Sequence, residues 1–302
     1  MRHLTVASDS SGQRLDNFLM RELKGIPRTR IYRAFRKGEV RVNKGRVKPD
    51  YRVKEGDILR IPPLRVPAPS DIPTIPRHWS ERLKTRVVYE DAGLLVIDKP
   101  SGLAVHGGSG LSYGLIECLR QMRPEDRSLE LVHRLDRDTS GCILLAKKRS
   151  VLREIHQLLR GSGVDKRYLA LVKGHWPKHA RIVDAPLQKN TLQSGERMVR
   201  VSKEGKPAVT EFAVLERFSN ATLVEAKPIT GRTHQIRVHA QHAGFPLLGD
   251  AKYSDDKGES FAREIGLKRL FLHAHSLSFS LPEKGKIEVS LKSVLRSTLR
   301  SI

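Results

Sequence analysis

The chain has 302 residues, of which 38% are hydrophobic and 29% are charged, so it is long enough to form two globular domains. Lys and Arg total 56 against 33 Asp and Glu, a net charge of +23 that indicates a polyanionic partner. Only two cysteines occur, Cys118 and Cys142, which excludes a disulfide framework and a cysteine-rich zinc module. No segment has the roughly 18 apolar residues of a membrane span or the apolar core of a signal peptide. We therefore expect a cytoplasmic protein that does not bind membranes.

The N-terminal part of the chain combines two amphipathic helices with a strongly basic surface. Apolar residues recur at helical spacing in QRLDNFLMREL, from residue 13, and in PRTRIYRAFRKGEV, from residue 27. Period-2 alternation in residues 40–61, around two glycine-containing turns, predicts a hairpin. Residues 1–62 hold 16 Lys and Arg against 7 Asp and Glu. This pattern, most specifically GEVRVNKGRVK, resembles the S4 module, which implies an RNA-binding domain over residues 13–62.

A proline-rich segment follows this module and separates it from the rest of the chain. Six prolines between residues 62 and 76 remove backbone donors and fix φ, so neither a helix nor a central strand is expected there. We assign residues 63–84 to a linker and residues 85–302 to a second domain. Apolar patterns in this domain predict helices in YGLIECLRQM and SVLREIHQLLRG and strands in KRYLALVKGHW, AVTEFAVLERF and ATLVEAKPI. The alternation is too irregular for a doubly wound fold, so the predicted class is α+β, with a mixed, mainly antiparallel sheet flanked by helices.

The segment LVHRLDRDTSGCILLAKKRS, residues 131–150, places two arginines and two aspartates between apolar stretches. In an extended segment 131–136, Arg134 and Asp136 would project to one side and His133 and Leu135 to the other. A neighbouring arginine favours the ionised carboxylate, which suits a nucleophile or a base. An ion-pair network that fixes a hairpin would explain the same residues equally well. This segment alone does not decide between the two.

Two other functions fit parts of the same pattern. Asp136 and Asp138 form a D-x-D motif of the kind that holds Mg²⁺, which would make the protein a metal-dependent RNA nuclease. Arg134 and Arg137 crowd this pair, and fixed cations disfavour a metal ion, so we predict no metal site. The basic surface would also suit a non-catalytic ribosome-assembly factor.

A second polar cluster lies about 100 residues later, in PITGRTHQIRVHAQHAGFPLLGDAKY, residues 228–253. A helix over residues 233–243, ended by Gly244, would place His234, Arg237 and Gln241 on one face. Tyr168 leads a predicted strand in DKRYLALVKG. An aspartate, arginines and a tyrosine near the ends of such elements, in a strongly basic protein, together suggest an enzyme that acts on nucleic acid.

The motifs HRLDRDTSG, GRTHQIRVH and KRYLALVKG resemble those of the RluA family of pseudouridine synthases. With DKPSGLAVHGGSGLS and the S4-like module, the resemblance covers nearly the whole chain from residue 13. It implies the pseudouridine synthase fold and isomerisation of uridine in RNA, in which the N1–C1′ bond breaks and C5 bonds to C1′. No atom or electron is gained or lost, so no cofactor is expected. The implied partner is large-subunit (23S) ribosomal RNA, and we expect a monomer.

The same resemblance assigns roles to four residues. Asp136 is the catalytic residue, which either attacks the ribose or assists proton removal at C2′. Arg134 occupies the space that the uridine leaves when it flips out of the RNA. Tyr168 stacks under the uracil ring and is a candidate acceptor of the C2′ or C5 proton. Arg237 pairs with Asp136 and keeps it ionised.

Overall fold

The computed structural model of the protein describes residues 1–23, 25–26, 28–64, 75–107, 112–161, 163–177, 182–191 and 197–291. The chain divides into two units, residues 1–74 and 75–302. Within the described ranges, no helix has both the length and the apolar character that crossing a bilayer demands.

The smaller unit contains the predicted pair of helices and the hairpin. Its elements are β1 (Arg2–Thr5), α1 (Leu15–Glu22), α2 (Arg28–Arg36), β2 (Arg41–Val42), β3 (Gly45–Arg46) and β4 (Ile58–Ile61), and the strand order is β1-β4-β2-β3. Asn43 and Lys44 both have positive φ, 47° and 69°, as a tight two-residue hairpin turn requires. Because β1 pairs antiparallel with β4, the unit begins before residue 13, where the sequence prediction places its start.

A ten-stranded sheet forms the centre of the larger unit. Its strands are β5 (Val87–Glu90), β6 (Leu94–Lys99), β7 (Glu130–Leu131), β8 (Ser140–Ala146), β9 (Val164–Lys173), β10 (Ile182–Asp184), β13 (Val209–Arg217), β14 (Ala221–Pro228), β15 (Leu272–Leu281) and β16 (Gly285–Ser290), with a separate hairpin of β11 (Leu187–Thr191) and β12 (Arg197–Val201). The order is β10-β13-β14-β9-β15-β8-β6-β5, with β16 beside β15 and β7 beside β8. Among the described pairings only β15 with β8 is parallel, so the predicted mixed, mainly antiparallel sheet is confirmed.

Helices cover both faces of this sheet. They are α3 (Arg77–Lys84), α4 (Leu115–Met122), α5 (Arg149–Arg160), α6 (Gln235–His242) and α7 (Asp256–Glu264). Every residue of β6 is buried, and alternate side chains enter different cores. Leu95 and Ile97 pack in the core that contains α4, whereas Leu94 and Val96 pack in the core that contains α5. A continuous apolar run is what a strand covered on both faces requires.

The linker prediction differs from the structure at its C-terminal end. Residues 65–74 lie outside the described residues. Residues 77–84, which the sequence assigns to the linker, form helix α3. Leu83 of this helix is fully buried in the core of the larger unit. The prolines therefore do not extend the linker beyond residue 76, because a helix can begin directly after a proline.

Candidate active site

The charged segment 131–139 is mostly a turn rather than a strand. We expected an extended stretch over residues 131–136, but strand β7 ends at Leu131. His133 turns inward and its Nε2 accepts the backbone N–H of Leu144 at 3.1 Å. Burial lowers the pKa of His133 to about 4, so the ring is neutral. Leu135 is buried, Arg134 is exposed, and His133 and Asp136 are both partly exposed. Exposure therefore does not separate His133 from Asp136 as the predicted extended segment requires.

Lys99, in strand β6, stabilises this turn by hydrogen bonds. It ends β6, is fully buried, and its Nζ donates to the backbone carbonyls of Pro100, Leu103 and Arg137 at 3.0, 2.8 and 3.0 Å. Burial lowers the pKa of Lys99 to about 7, and the charges of Asp138 and Asp136 oppose this shift. Three carbonyl acceptors favour the ammonium form. Sequence reasoning missed this residue, because a lysine that binds only backbone carbonyls leaves no sequence signal.

Arg237 lies in α6 and links two carboxylates. Its Nε and Nη2 donate to Asp250 Oδ2 and Oδ1 at 2.8 and 2.7 Å, and the Asp250 side chain is fully buried. Its Nη1 lies 3.5 Å from Asp136 Oδ2. Burial lowers the pKa of Arg237, but the hydrogen bonds and charge of Asp250, with the charge of Asp136, raise it overall. The sequence analysis expected Arg237 to pair with Asp136. It did not identify Asp250, whose only signal in the sequence is its position shortly after the apolar run FPLL.

His234 is placed differently from the sequence prediction. The expected helix included residue 233, but α6 begins at Gln235 and His234 precedes it with φ of 54°, in the left-handed region. His234 therefore does not share a helical face with Arg237, and Gln241 is exposed. The His234 Nε2 lies 3.9 Å from Asp136 Oδ1. Burial is the main cause that lowers the pKa of His234, so the imidazole beside Asp136 is neutral.

Tyr253 is the other neighbour of the His234 ring. The Tyr253 hydroxyl accepts the backbone N–H of Val199 at 3.0 Å and lies 2.7 Å from His234 Nδ1. One ring nitrogen of His234 is therefore hydrogen-bonded to Tyr253, and the other, Nε2, is the one that lies 3.9 Å from Asp136.

Tyr168 lies in β9 and is only 9% exposed. Burial, followed by the charge of Asp136, raises the pKa of Tyr168 well above its usual range, so the phenol stays protonated at neutral pH. Its neighbours in the apolar core include Leu135 and Leu272. The sequence predicts Tyr168 at the start of its strand, but β9 begins at Val164 and Tyr168 lies within it. Tyr168 lines a cavity together with Asp136.

Two cavities meet at Asp136. The larger has a volume of about 1170 Å³ and the smaller about 740 Å³. Five residues line both of them: Arg134, Leu135, Asp136, His234 and Arg237. Tyr168 and Leu272 line the smaller cavity. A partly exposed carboxylate therefore stands at the junction of two clefts, flanked by an arginine and a neutral histidine.

Comparison with known proteins identifies the families to which the two units are similar. Residues 93–242 match the family model for RNA pseudouridylate synthase, and residues 13–59 match the S4 domain. The chain is 53% identical over 307 residues to ribosomal large subunit pseudouridine synthase C of Haemophilus influenzae, an alignment that covers 100% of this chain and 95% of that relative. The protein of the same name from Escherichia coli is 54% identical over 306 residues, with 99% of this chain and 96% of the relative covered.

Solved structures show the same fold for the larger part of the chain. The structure of human RNA pseudouridylate synthase domain containing 4 is 29% identical with a TM-score of 0.61, and the match covers 74% of this chain and 94% of that one. The α+β fold class and the family resemblance seen in the motifs are thereby confirmed. The chain belongs to the pseudouridine synthase family and is an isomerase that converts uridine in RNA to pseudouridine.

Proposed function

We propose that this protein isomerises specific uridines of large-subunit (23S) ribosomal RNA, with Asp136 as the catalytic residue. The names of the full-length relatives support the ribosomal substrate, and the S4 domain and net charge of +23 support binding to a large RNA. The observation that carries the catalytic assignment is the position of Asp136 at the junction of the two cavities, beside Arg237.

The smaller cavity would receive the flipped uridine. Tyr168 would stack against the uracil as a neutral phenol, because its raised pKa keeps the hydroxyl protonated. In the reaction the N1–C1′ bond breaks and the C5–C1′ bond forms, while C5 loses a proton and N1 gains one. Asp136 would act at the sugar, either by attack on the ribose or by assisting removal of the C2′ proton. Arg237 would place its positive charge beside the Asp136 carboxylate in either route.

Arg134 would support the flipped state of the RNA. Its side chain is exposed, lines both cavities, and forms no ion pair among the described residues. A nucleotide that leaves the stack costs a few kcal/mol, and an inserted side chain offsets part of that cost. The proposal also places the protein in the cytoplasm as a monomer, and its two buried free thiols suit a reducing compartment.

The test is pseudouridine mapping in 23S rRNA incubated with the purified protein, its Asp136→Asn variant and its Asp138→Asn variant. We expect pseudouridine at specific positions with the unaltered protein and with Asp138→Asn, and none above background with Asp136→Asn. The two substitutions remove the same charge two residues apart, so the comparison isolates the role of Asp136. Pseudouridine formed by Asp136→Asn would refute the catalytic assignment. RNA that is shortened, with cleavage abolished by EDTA, would instead indicate a metal-dependent nuclease.

A further inference from the structure

Three arginines and one carboxylate line the larger cavity together with Asp136. Arg82 lies in α3, Arg86 follows that helix, and Arg269 precedes β15; we refer to them as the arginine cluster. The carboxylate is Asp98, in β6, and its Oδ2 accepts from Arg86 Nη1 at 2.7 Å. In the described part of the chain, neither Arg82 nor Arg269 forms an ion pair with a carboxylate.

The charges of the cluster and of Asp98 act on one another. Burial lowers the pKa of Arg269, and the charges of Arg82 and Arg86 lower it further, while Asp98 opposes the shift. Burial raises the pKa of Asp98, against the charges of all three arginines. Three guanidinium groups thus accompany one carboxylate on the cavity lining, with Arg86 and Arg269 partly buried and Arg82 exposed. The excess of two positive charges favours the binding of an anion.

A hydrogen-bonded chain beside the cluster ends in a ring nitrogen without a partner. Arg269 Nη1 donates to Ser140 Oγ at 3.0 Å, and Ser140 Oγ lies 2.9 Å from His273 Nδ1. The other ring nitrogen of His273 is Nε2. Burial lowers the pKa of His273 to about 4, so the ring is neutral.

His273 is only 2% exposed and lines the larger cavity, yet its Nε2 has no hydrogen-bond partner among the described residues. A buried polar atom without a partner requires an explanation, such as an ion or a ligand bound beside it. Asp98 Oδ1 also lacks a partner, so one carboxylate oxygen remains as an acceptor beside the surplus cations.

The size of the cavity argues that the ligand is part of the RNA chain. At about 1170 Å³ the larger cavity exceeds the roughly 300–1,000 Å³ typical of sites for a single small molecule. Asp136, Arg134 and the arginine cluster all line it. Arginine forks suit the oxygens of a phosphate group in both geometry and charge.

We propose that Arg82, Arg86 and Arg269 form a binding site for a backbone phosphate of the RNA close to the nucleotide that reacts at Asp136. This rests on the proposed function for the identity of the RNA. The site holds the strand in the larger cavity while the flipped nucleotide occupies the smaller one. Its contribution is to affinity and positioning, since none of its members contacts the reacting atoms.

The experiment compares Arg82→Gln with Lys84→Gln by measuring rRNA binding at several KCl concentrations. Both residues are exposed and lie in α3, but Lys84 does not line the cavity. Each lost phosphate contact reduces the magnitude of the slope of the logarithm of the binding constant against the logarithm of the salt concentration by about 0.7 to 0.9. We expect that reduction for Arg82→Gln and an unchanged slope for Lys84→Gln. Equal slopes for both variants and the unaltered protein would overturn the proposal.

A second measurement identifies the phosphate. Single neutral methylphosphonate linkages are placed in turn around the target position of a short RNA. One position should weaken binding by the unaltered protein about tenfold, the size expected for one charge-assisted hydrogen bond. That position should have little effect on the double variant Arg82→Gln/Arg269→Gln, whose folding is checked by circular dichroism. An equal loss in protein and variant at every position would overturn the site. A reduced salt slope without any pseudouridine formation would refute the proposed function and leave the site intact.

Discussion

Arg237 and Asp250 form a buried ion pair with two hydrogen bonds, at 2.8 and 2.7 Å, and this pair sets where the third guanidinium nitrogen meets Asp136. A guanidinium held at both Nε and Nη2 cannot rotate, so Nη1 is fixed 3.5 Å from the Asp136 carboxylate. Asp250 therefore positions the Arg237 side chain.

Removal of Asp250 should destabilise the larger unit strongly. Asp250→Ala leaves a buried arginine without its main partner, and such a change costs roughly 3–5 kcal/mol. Chemical denaturation followed by tryptophan fluorescence reports on this unit, because both tryptophans, Trp79 and Trp176, lie within residues 75–302. Asp256→Ala, at an exposed site in the first turn of α7, is the control and should cost about 1 kcal/mol or less. Similar losses for the two variants would contradict the structural role of Asp250.

The charge of Arg237 beside Asp136 can be tested without leaving Asp250 unpaired. In the double variant Arg237→Met/Asp250→Leu, both members of the buried pair are replaced by apolar groups, which is often neutral for stability. Asp136 then lacks the positive charge that Arg237 Nη1 holds 3.5 Å from its carboxylate. We expect turnover at neutral pH to fall about tenfold or more. Turnover equal to that of the unaltered protein would show that Arg237 does not act through its charge.

Arg134 should respond in a different way. Arg134→Met removes a side chain proposed to fill the space left by the flipped nucleotide, without removing the charge nearest Asp136. We expect a larger loss of turnover on folded rRNA than on a short unstructured RNA, and a pH profile of unaltered shape. Equal losses on both substrates would argue against the filling role.

The larger unit should lose stability in mild acid through His133. Burial lowers the pKa of the folded-state imidazole from 6.5 to about 4. Between these values the unfolded chain takes up a proton that the folded chain does not, so the free energy of unfolding decreases as the pH falls from about 6.5 to about 4. The contribution is at most about 3 kcal/mol, since the ring is not wholly enclosed. Denaturation at several pH values should show that the free energy of unfolding depends less on pH in His133→Gln than in the unaltered protein. The exposed control His78→Gln should show the unaltered pH dependence. Identical pH dependence in both variants would show that His133 does not cause the loss of stability in mild acid.

The second helix of the S4 domain, α2, should contribute to the affinity for rRNA and not to the rate of the chemical step. Arg33 and Arg36 are exposed in α2, and Arg33→Gln/Arg36→Gln should reduce the salt slope of rRNA binding by up to about 1.8. With saturating RNA, the turnover rate should stay near that of the unaltered protein. The charge-matched control Lys257→Gln/Arg263→Gln changes exposed residues of α7 and should leave the slope unaltered. Reduced turnover at saturation would mean that α2 also positions the substrate.

The sequence alone determined the elements whose signals are local. Helical periodicity predicts α1, α2, α4 and α5, because their apolar faces repeat within one or two turns. The charged segment that carries Asp136 is also evident in the sequence, which leaves open whether its charges serve catalysis or an ion-pair network. The motif resemblance likewise depends on contiguous residues, so it indicates the family without knowledge of the fold.

Only the tertiary structure decided which distant residues meet. The parallel contact of β15 with β8 joins segments more than 120 residues apart, and it brings His273 to Ser140. Asp250 as the partner of Arg237 depends on how the loop after α6 folds back, and many other acidic residues would have satisfied the sequence pattern equally well. Lys99 binds carbonyl groups that every residue possesses. Such contacts follow from packing in three dimensions, where long-range geometry selects one partner among many that are chemically equivalent.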